Sequence, residues 1–399
     1  MSAPRNNQWL HRFAVLTALA TLGLVGLGGL VTSHEAGMAV PDWPTSYGYN
    51  MFALPLQFWT GGVFYEHTHR LWATAVGVLV VALTRWLGGH RSRLPLAAIG
   101  LGEVLAGYAI FRWWPELKAT GYFLSGIGGV VLLAAVVWVR HEPAGRTLVR
   151  MGWLAFALVQ FQGLLGGLRV VLFKDQIGIL HGALAQIFFI LLCGIAIFTS
   201  RLWERLKKNL PPNIPSPLRR WALAATLLIF CQLILGATMR HQHAGLAIRD
   251  FPLAYGKWWP ATDAVSVARY NAQRTEVTGA NPITWFQIEL QMAHRLTAVL
   301  VLLAVTAGAW TARRADAATA RLAWAWLGLI VFQAALGAAT VLTNKAADVA
   351  TAHVVAGALS LAIGSLMCMI TSLRRAGQSA ESVVSELAPF AAHPATEQA

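Results

Sequence analysis

Charge is scarce in this chain. Of its 399 residues only 12% are Asp, Glu, Lys or Arg, about half the share of a soluble globular domain. That shortage argues against a water-soluble core. Cysteine is scarcer still: Cys193, Cys231 and Cys368 each fall within an apolar run. They form neither a disulfide framework nor a thiolate metal site and read as small buried hydrophobes. Acidic residues number 17 against 31 basic ones, a formal net charge of +14. The basic residues lie in short links between apolar segments rather than in a stripe, so no nucleic-acid partner is expected. A small-residue cleavage site is also missing near the N-terminus, and residues 12–33 read as an anchor that stays in place.

Apolar residues are what the chain has in quantity: 56% hydrophobic, with 17 tryptophans. Ten stretches are long enough, or nearly so, to cross a bilayer as helices: 12–33, 66–87, 94–111, 120–139, 148–171, 178–200, 218–239, 287–310, 320–341 and 350–372. The third is the weakest, being short and carrying Glu103 in its middle. With the N-terminus in the cytoplasm, 19 of the 31 Lys and Arg residues fall in cytoplasmic tails and links, and the outer link 34–65 has none. That bias fixes an orientation with both termini cytoplasmic. The expected fold is an all-α polytopic membrane protein.

The chain also repeats itself. Residues 35–48 read EAGMAVPDWPTSYG and residues 243–256 read HAGLAIRDFPLAYG, identical at seven of fourteen positions. Each link follows a helix ending in a Leu-Gly pair, Leu27-Gly28 and Leu235-Gly236, and such pairs recur at Leu165-Gly166 and Leu336-Gly337. Small residues there let backbones approach closely or make room for a flat ligand, for which Gly163, Gly166 and Gly167 suit. The expected organisation is two tandem pseudo-symmetric four-helix units, 12–200 and 218–372, joined by a cytoplasmic linker at 201–217 and followed by a flexible cytoplasmic tail at 373–399. The hairpin 94–139 has no counterpart in the second unit and reads as an insertion.

Four histidines, His69, His181, His294 and His353, stand just inside the outer ends of apolar segments. Ionisable residues in a membrane are costly and mark function. They fall into two pairs, one per unit, and a pair of facing imidazoles is the usual way to hold a haem iron in a helical bundle. A mononuclear zinc or copper site is the other metal reading, but neither unit has the nearby third ligand that such a site prefers. Glu66 lies three residues before His69, and Gln291 takes its place before His294. One unit thus keeps a carboxylate suited to charge or proton transfer where the other has a neutral amide. Arg70 and Arg295 follow their histidines and are expected to reach carboxylates at a macrocycle edge. Arg169 and Arg240, after the Leu-Gly pairs, are weaker candidates for the same contact. His67 turns to another face and reads as a supporting or surface residue, and His34, His241 and His243 are placed in the outer links. Asp42-Trp43-Pro44 and Asp250-Phe251-Pro252 read as helix-capping turns with an aromatic anchor over the bundle.

Glu66-x-x-His69-Arg70, the repeated His294-Arg295, the lone His181 and His353 and the P-D-W-P loop together closely resemble haem A synthase, the membrane enzyme family that converts haem O to haem A for terminal oxidases. The resemblance covers 12–87 and 148–372 and leaves the hairpin outside. It implies that His69 and His181 flank the haem O substrate, that His294 and His353 ligate a permanent haem b, and that Glu66 is the family's essential carboxylate. The implied reaction oxidises a ring methyl to a formyl by successive hydroxylations, with molecular oxygen and an outside electron donor of unknown identity. Implied too are a bacterial inner membrane, histidine sites toward the periplasm, and partners such as haem O synthase or oxidase assembly factors. Residues 34–65 lack the cysteine pair that many members carry there, which excludes a thiol-linked step in this chain. The rival reading is a di-haem b electron carrier between a quinol and a periplasmic partner, which needs no Glu66/Gln291 difference. A transporter, the third class, expects broken helices with a midplane polar site, and none is evident.

Overall fold

The computed structural model describes residues 7–137, 142–208, 215–274 and 281–387. Among them every regular element is helical. The α-helices are α1 (Gln8–Ser33), α2 (Gly61–Gly88), α3 (Arg93–Trp113), α4 (Lys118–Val136), α5 (Arg146–Leu172), α6 (Asp175–Phe198), α7 (Arg201–Lys208), α8 (Ser216–His241), α9 (Ala264–Ala272), α10 (Trp285–Ala312), α11 (Ala317–Leu342) and α12 (Ala347–Leu387). Nine continuous helical stretches among the described residues are long and apolar enough to cross a membrane, and one of them runs over Gly61–Trp113. A straight helix of that length would measure about 80 Å at 1.5 Å per residue, far beyond a hydrocarbon core of about 30 Å. It is instead two helices, α2 and α3, joined at a 3-10 turn over Gly89–Ser92. Among the described residues this division gives ten candidate spans. The protein is an all-helical, multi-pass membrane protein.

Local chemistry explains where these helices begin. The Asn7 side chain accepts from the Trp9 and Leu10 amides, and that of Asp316 from the Ala318 and Thr319 amides. At α10, Thr284 and Gln287 form a reciprocal capping box. Helix α12 continues past 372 to Leu387, and residues 388–399 of the expected tail lie outside the described residues. The expected linker holds α7, whose Trp203 tucks against Phe198 at 4.5 Å between ring centroids.

Helices α1, α2, α5 and α6 pack in a closed ring, each on the next, and α8, α10, α11 and α12 do the same. Contacts of α1 with α12, and of α6 with α8 and α12, join the rings. Each ring has its own core toward the end away from the histidines. Ala14, Val80, Leu83, Leu87, Leu192 and Ile195 fill the first, and Ala225, Ile229, Val305, Trp326 and Leu361 the second.

The hairpin α3–α4 stands outside the first ring. Its two helices approach so closely at Gly100, Gly107, Gly121 and Gly128 that a Cβ on any of them would fall within 3 Å of backbone on the facing helix. Arg85 of α2 fastens it, donating to the carbonyls of Ala134 (3.1 Å) and Val137 (3.2 Å). Near the middle of α3, Glu103 accepts from the Gln160 amide of α5 at 2.5 Å.

Candidate functional site

At the end of the rings where α1 and α8 finish, all four histidines point toward a neighbouring helix, and each meets a glycine there. A Cβ built on Gly28 would lie 3.3 Å from His69 Cε1, and one on Gly166 would lie 3.6 Å from His181 Cε1. In the second ring the distances are 3.4 Å from Gly236 to His294 and 3.0 Å from Gly337 to His353. The Leu-Gly pairs thus supply the glycines on which the imidazoles rest, a direct reason for the sequence repeat.

The rings of His294 and His353 are 6.4 Å apart between centroids, tilted by 58°. A ring nitrogen binds a metal ion at about 2.0–2.1 Å, so two imidazoles sharing one ion from opposite sides place their centroids about 6 Å apart. The spacing fits. The Nδ1 atoms of His69, His181 and His294 are buried without a hydrogen-bond partner; His353 is held by Gln333 on both ring nitrogens, Nδ1 at 3.0 Å from its carbonyl and Nε2 at 3.5 Å from its side-chain amide, and of the two the long Nε2 contact is the one a ligand could displace. Among the described residues no cluster of three or more His, Cys, Asp or Glu side chains comes together, so the donor set on offer is a pair of imidazoles. That is the set a six-coordinate haem iron takes.

A glutamine four residues before three of the glycines steadies these helices. Gln162 donates to the His181 carbonyl (3.2 Å) and Gln232 to the His294 carbonyl (3.0 Å), while Gln333 receives His353. The place before Gly28 is taken by Leu24. Sequence reading passed over these glutamines, although a Gln-x-x-x-Gly repeat was there to find.

Glu66 is buried at 4% exposure, with both oxygens engaged. Oε2 accepts from the Val40 backbone N–H at 2.8 Å, and Oε1 pairs with Arg70 Nη2 at 2.7 Å. In the second half Gln291 Oε1 accepts from the Ile248 N–H at 2.7 Å, and its amide donates to the Ile248 carbonyl at 3.0 Å. The two residues perform one task, clasping the loop of the repeat, with an ion pair in one half and a neutral amide in the other.

Arg70 and Arg295, expected to reach carboxylates at a macrocycle edge, are hydrogen-bonded to the loops. Arg70 donates to the carbonyls of Val40, Asp42 and Thr45 at 2.9, 2.7 and 3.1 Å, and Arg295 to those of Asp250 and Leu253 at 2.8 and 2.9 Å. Both are absorbed by the loops, because the chain after each helix folds back over the face next to the histidine. The cations that act on both members of a pair are Arg169, on His69 and His181, and Arg240, on His294 and His353. The Asp42 and Asp250 carboxylates cap their own turns rather than a helix, accepting from the amides of Tyr47 and Gly48 and of Tyr255 and Gly256. Trp43 does press on the bundle, against Gly167, and meets Phe123 of the hairpin edge-on at 5.3 Å. His67 is fully buried between Ser46 and Trp59 rather than superficial. His34 stacks on Tyr65 at 4.0 Å, and His241 is the last residue of α8 rather than part of a loop.

Two four-helix rings, each with a glycine-backed pair of imidazoles at the same end, define a polytopic membrane protein with two matching candidate sites. The chain belongs to the cytochrome oxidase assembly protein family COX15-CtaA, whose model matches residues 122–364. The match begins inside α4, so the second helix of the hairpin falls within it, contrary to the expectation that the whole hairpin lies outside the resemblance. Similar proteins include a heme A synthase of Rhizorhabdus wittichii strain RW1, 29% identical over 372 residues, covering 90% of this chain and 93% of that one. A heme A synthase of Bradyrhizobium diazoefficiens USDA 110 is 24% identical over 379 residues, covering 94% and 92%, and one of Shouchella clausii is 25% identical over 346 residues, covering 84% and 88%.

Proposed function

We propose that this protein is a haem A synthase, an oxidoreductase that converts the ring methyl of haem O to a formyl by successive hydroxylations. The first ring holds the substrate, flanked by His69 and His181, and the second holds a resident haem b between His294 and His353. When bound, that haem b supplies one-electron chemistry. The protein's own residues do the rest. The glycines let the imidazoles stand at fixed depth, and Arg169 and Arg240 give each site a cation suited to macrocycle carboxylates. The four imidazoles are half-buried, with Nδ1 of His69, His181 and His294 shielded from solvent.

The asymmetry between Glu66 and Gln291 carries this reading. An electron carrier with two equivalent sites needs no such difference, whereas a reaction in one half does. Because Arg70 and the Val40 amide hold both its oxygens, Glu66 works best as a fixed negative charge that steadies positive charge developing at the first site. Use as a proton acceptor would first require breaking the Arg70 pair. Together Glu66, His69 and His181 form the catalytic set.

The two rings are read as a substrate unit and a cofactor unit, with the 94–139 hairpin attached to the former. Both termini are assigned to the cytoplasm and the histidine end to the periplasm of a bacterial inner membrane, with an electron donor, haem O synthase or oxidase assembly factors as partners. The test is extraction of pigment from protein purified out of cells that supply haem O. Haem A or a hydroxylated haem is expected; haem b alone would overturn the synthase reading in favour of the carrier. Replacing His294 or His353 by Ala is expected to abolish the haem b absorption, and unchanged spectra in both would overturn the ligand assignment.

A further inference from the structure

Arg240 and His241 are the last two residues of α8, and their side chains leave the helix in different directions. Arg240 stays with the second pair. Its Nη2 donates to the Ala350 carbonyl of α12 at 3.0 Å, three residues before His353, and its Nη1 donates to Thr32 Oγ1 of α1 at 2.8 Å. His241 crosses into the other ring. Its imidazole lies on Gly178 of α6, three residues before His181, with Nδ1 facing Asp175 Oδ1 at 3.8 Å and only 10% of the side chain exposed. A Cβ on Gly178 would be 2.7 Å from His241 Nε2 and 2.9 Å from Arg169 Nε. Histidine and guanidinium therefore adjoin a single gap that only glycine leaves open.

The His241 imidazole and the Arg169 guanidinium border the same gap at Gly178, and Arg169 Nη1 reaches the Gly37 carbonyl at 3.3 Å. An arginine hemmed in by its neighbours is preorganised for a carboxylate; an arginine free to turn is not. The arm is one-sided. At the same distance from Gly28 as His241 stands from Gly236, α1 has Ser33, whose hydroxyl is buried without a partner.

We propose that His241 is a positioning residue for the first site. Reaching across from the second half, it holds the Arg169 guanidinium toward the carboxylate edge of the first site's macrocycle. Through its neighbour Arg240 it also links loading of the first site to occupancy of the second. This rests on the reading that each histidine pair holds an iron porphyrin. A group bound by Arg240 orders the last turn of α8, and the same turn carries the arm that orders Arg169. Linkage of this kind is reciprocal and typically changes affinity by about 5–150-fold.

The experiment uses full-length protein with its resident haem, titrated with haem O and followed by absorption, with the resident haem quantified separately. His241→Ala is expected to weaken haem O binding about tenfold and leave resident-haem content and spectrum unchanged. His241→Gln, which keeps a polar side chain of similar reach beside Arg169, is expected to recover most of the loss. Gly178→Ala, which pushes a methyl into the gap, is expected to reproduce it. His353→Ala is expected to lower haem O affinity in the wild-type background but to lower it no further beside His241→Ala. Lys345→Gln, which removes an exposed contact between the halves with Glu35 at 3.3 Å, is expected to change nothing. Wild-type affinity in the Gly178→Ala variant, with resident haem retained, would overturn the positioning role even if the His241→Ala variant fails to fold. If the wild-type protein keeps its resident haem yet takes up no haem O, the proposed function itself fails and this inference falls with it.

Discussion

The glycines behind the histidines offer a graded test, because their clearances differ by tenths of an ångström. Replacing a helical glycine by alanine ordinarily gains about 0.8–1.0 kcal/mol of helix propensity. At Gly337 the new Cβ would lie 3.0 Å from His353 Cε1 and 3.6 Å from its Nδ1. Carbon atoms rest comfortably at about 3.5–4.0 Å, so the imidazole must retreat by roughly 0.5 Å while Gln333 holds its Nδ1. Metal–ligand distances tolerate about 0.2 Å. Overpacking of this kind costs about 1–3 kcal/mol, and at 1.4 kcal/mol per decade the expected loss in haem affinity is about tenfold. Gly236→Ala, with 3.4 Å to His294, should cost the same site much less. In the first ring, Gly28→Ala at 3.3 Å is expected to weaken haem O binding, and Gly166→Ala at 3.6 Å to leave it intact. The assays are resident-haem content and absorption for the second site and haem O titration for the first, with thermal unfolding recorded beside them. A variant that binds less haem while melting no lower would locate the damage in the site. Full haem retention in Gly337→Ala, or equal losses at Gly28 and Gly166, would refute the cradle argument.

Two further substitutions separate the loop clasps from the chemistry. Glu66→Gln can still accept from the Val40 N–H as Gln291 does from Ile248, so the folded protein and its resident-haem spectrum are expected to persist while haem A formation stops; a fully active variant would show that no charge is needed there. Glu66→Ala strands Arg70 and the Val40 amide in a buried place, where breaking an ion pair costs about 3–5 kcal/mol, and a drop in unfolding temperature is expected in addition. At Asp42 burial raises the carboxyl pKa, but hydrogen bonds from the Thr45 side chain and the Gly48 and Tyr47 amides outweigh it and hold the pKa below its ordinary 3.8. The stabilisation is therefore present above about 3.8 and lost as pH falls through the lower folded value. The unfolding gap between wild type and Asp42→Asn should narrow in acid below about pH 3.8, and a constant gap would contradict the hydrogen-bonded carboxylate.

Hydrophobic run lengths carried most of the fold into view, because a membrane span is a composition before it is a shape. The repeat was legible for a related reason: two rings with the same loop clasp need the same Asp, Tyr and Gly at the same spacing. Nothing in composition showed that α3 and α4 lie backbone to backbone, since a glycine pattern in one helix means close approach only if its partner has one in register. The docking of Trp43 on Gly167 is long-range in the same way.

The arginines show where the sequence could have been read better. Adjacent helical residues point about 100° apart, whereas residues three or four apart share a face. If His69 points into the ring, Arg70 cannot, and the loop takes it. Gly166 and Gly236 face the histidines, so Arg169 at three residues' distance and Arg240 at four must face them too. The same arithmetic sends His241 away from its own ring. What the spacing does not contain is the neighbour it meets there, because Gly178 matters only once α6 and α8 are packed together. Site residues on one helix face are thus recoverable from a single chain, and those that join one ring to the other require the packed structure.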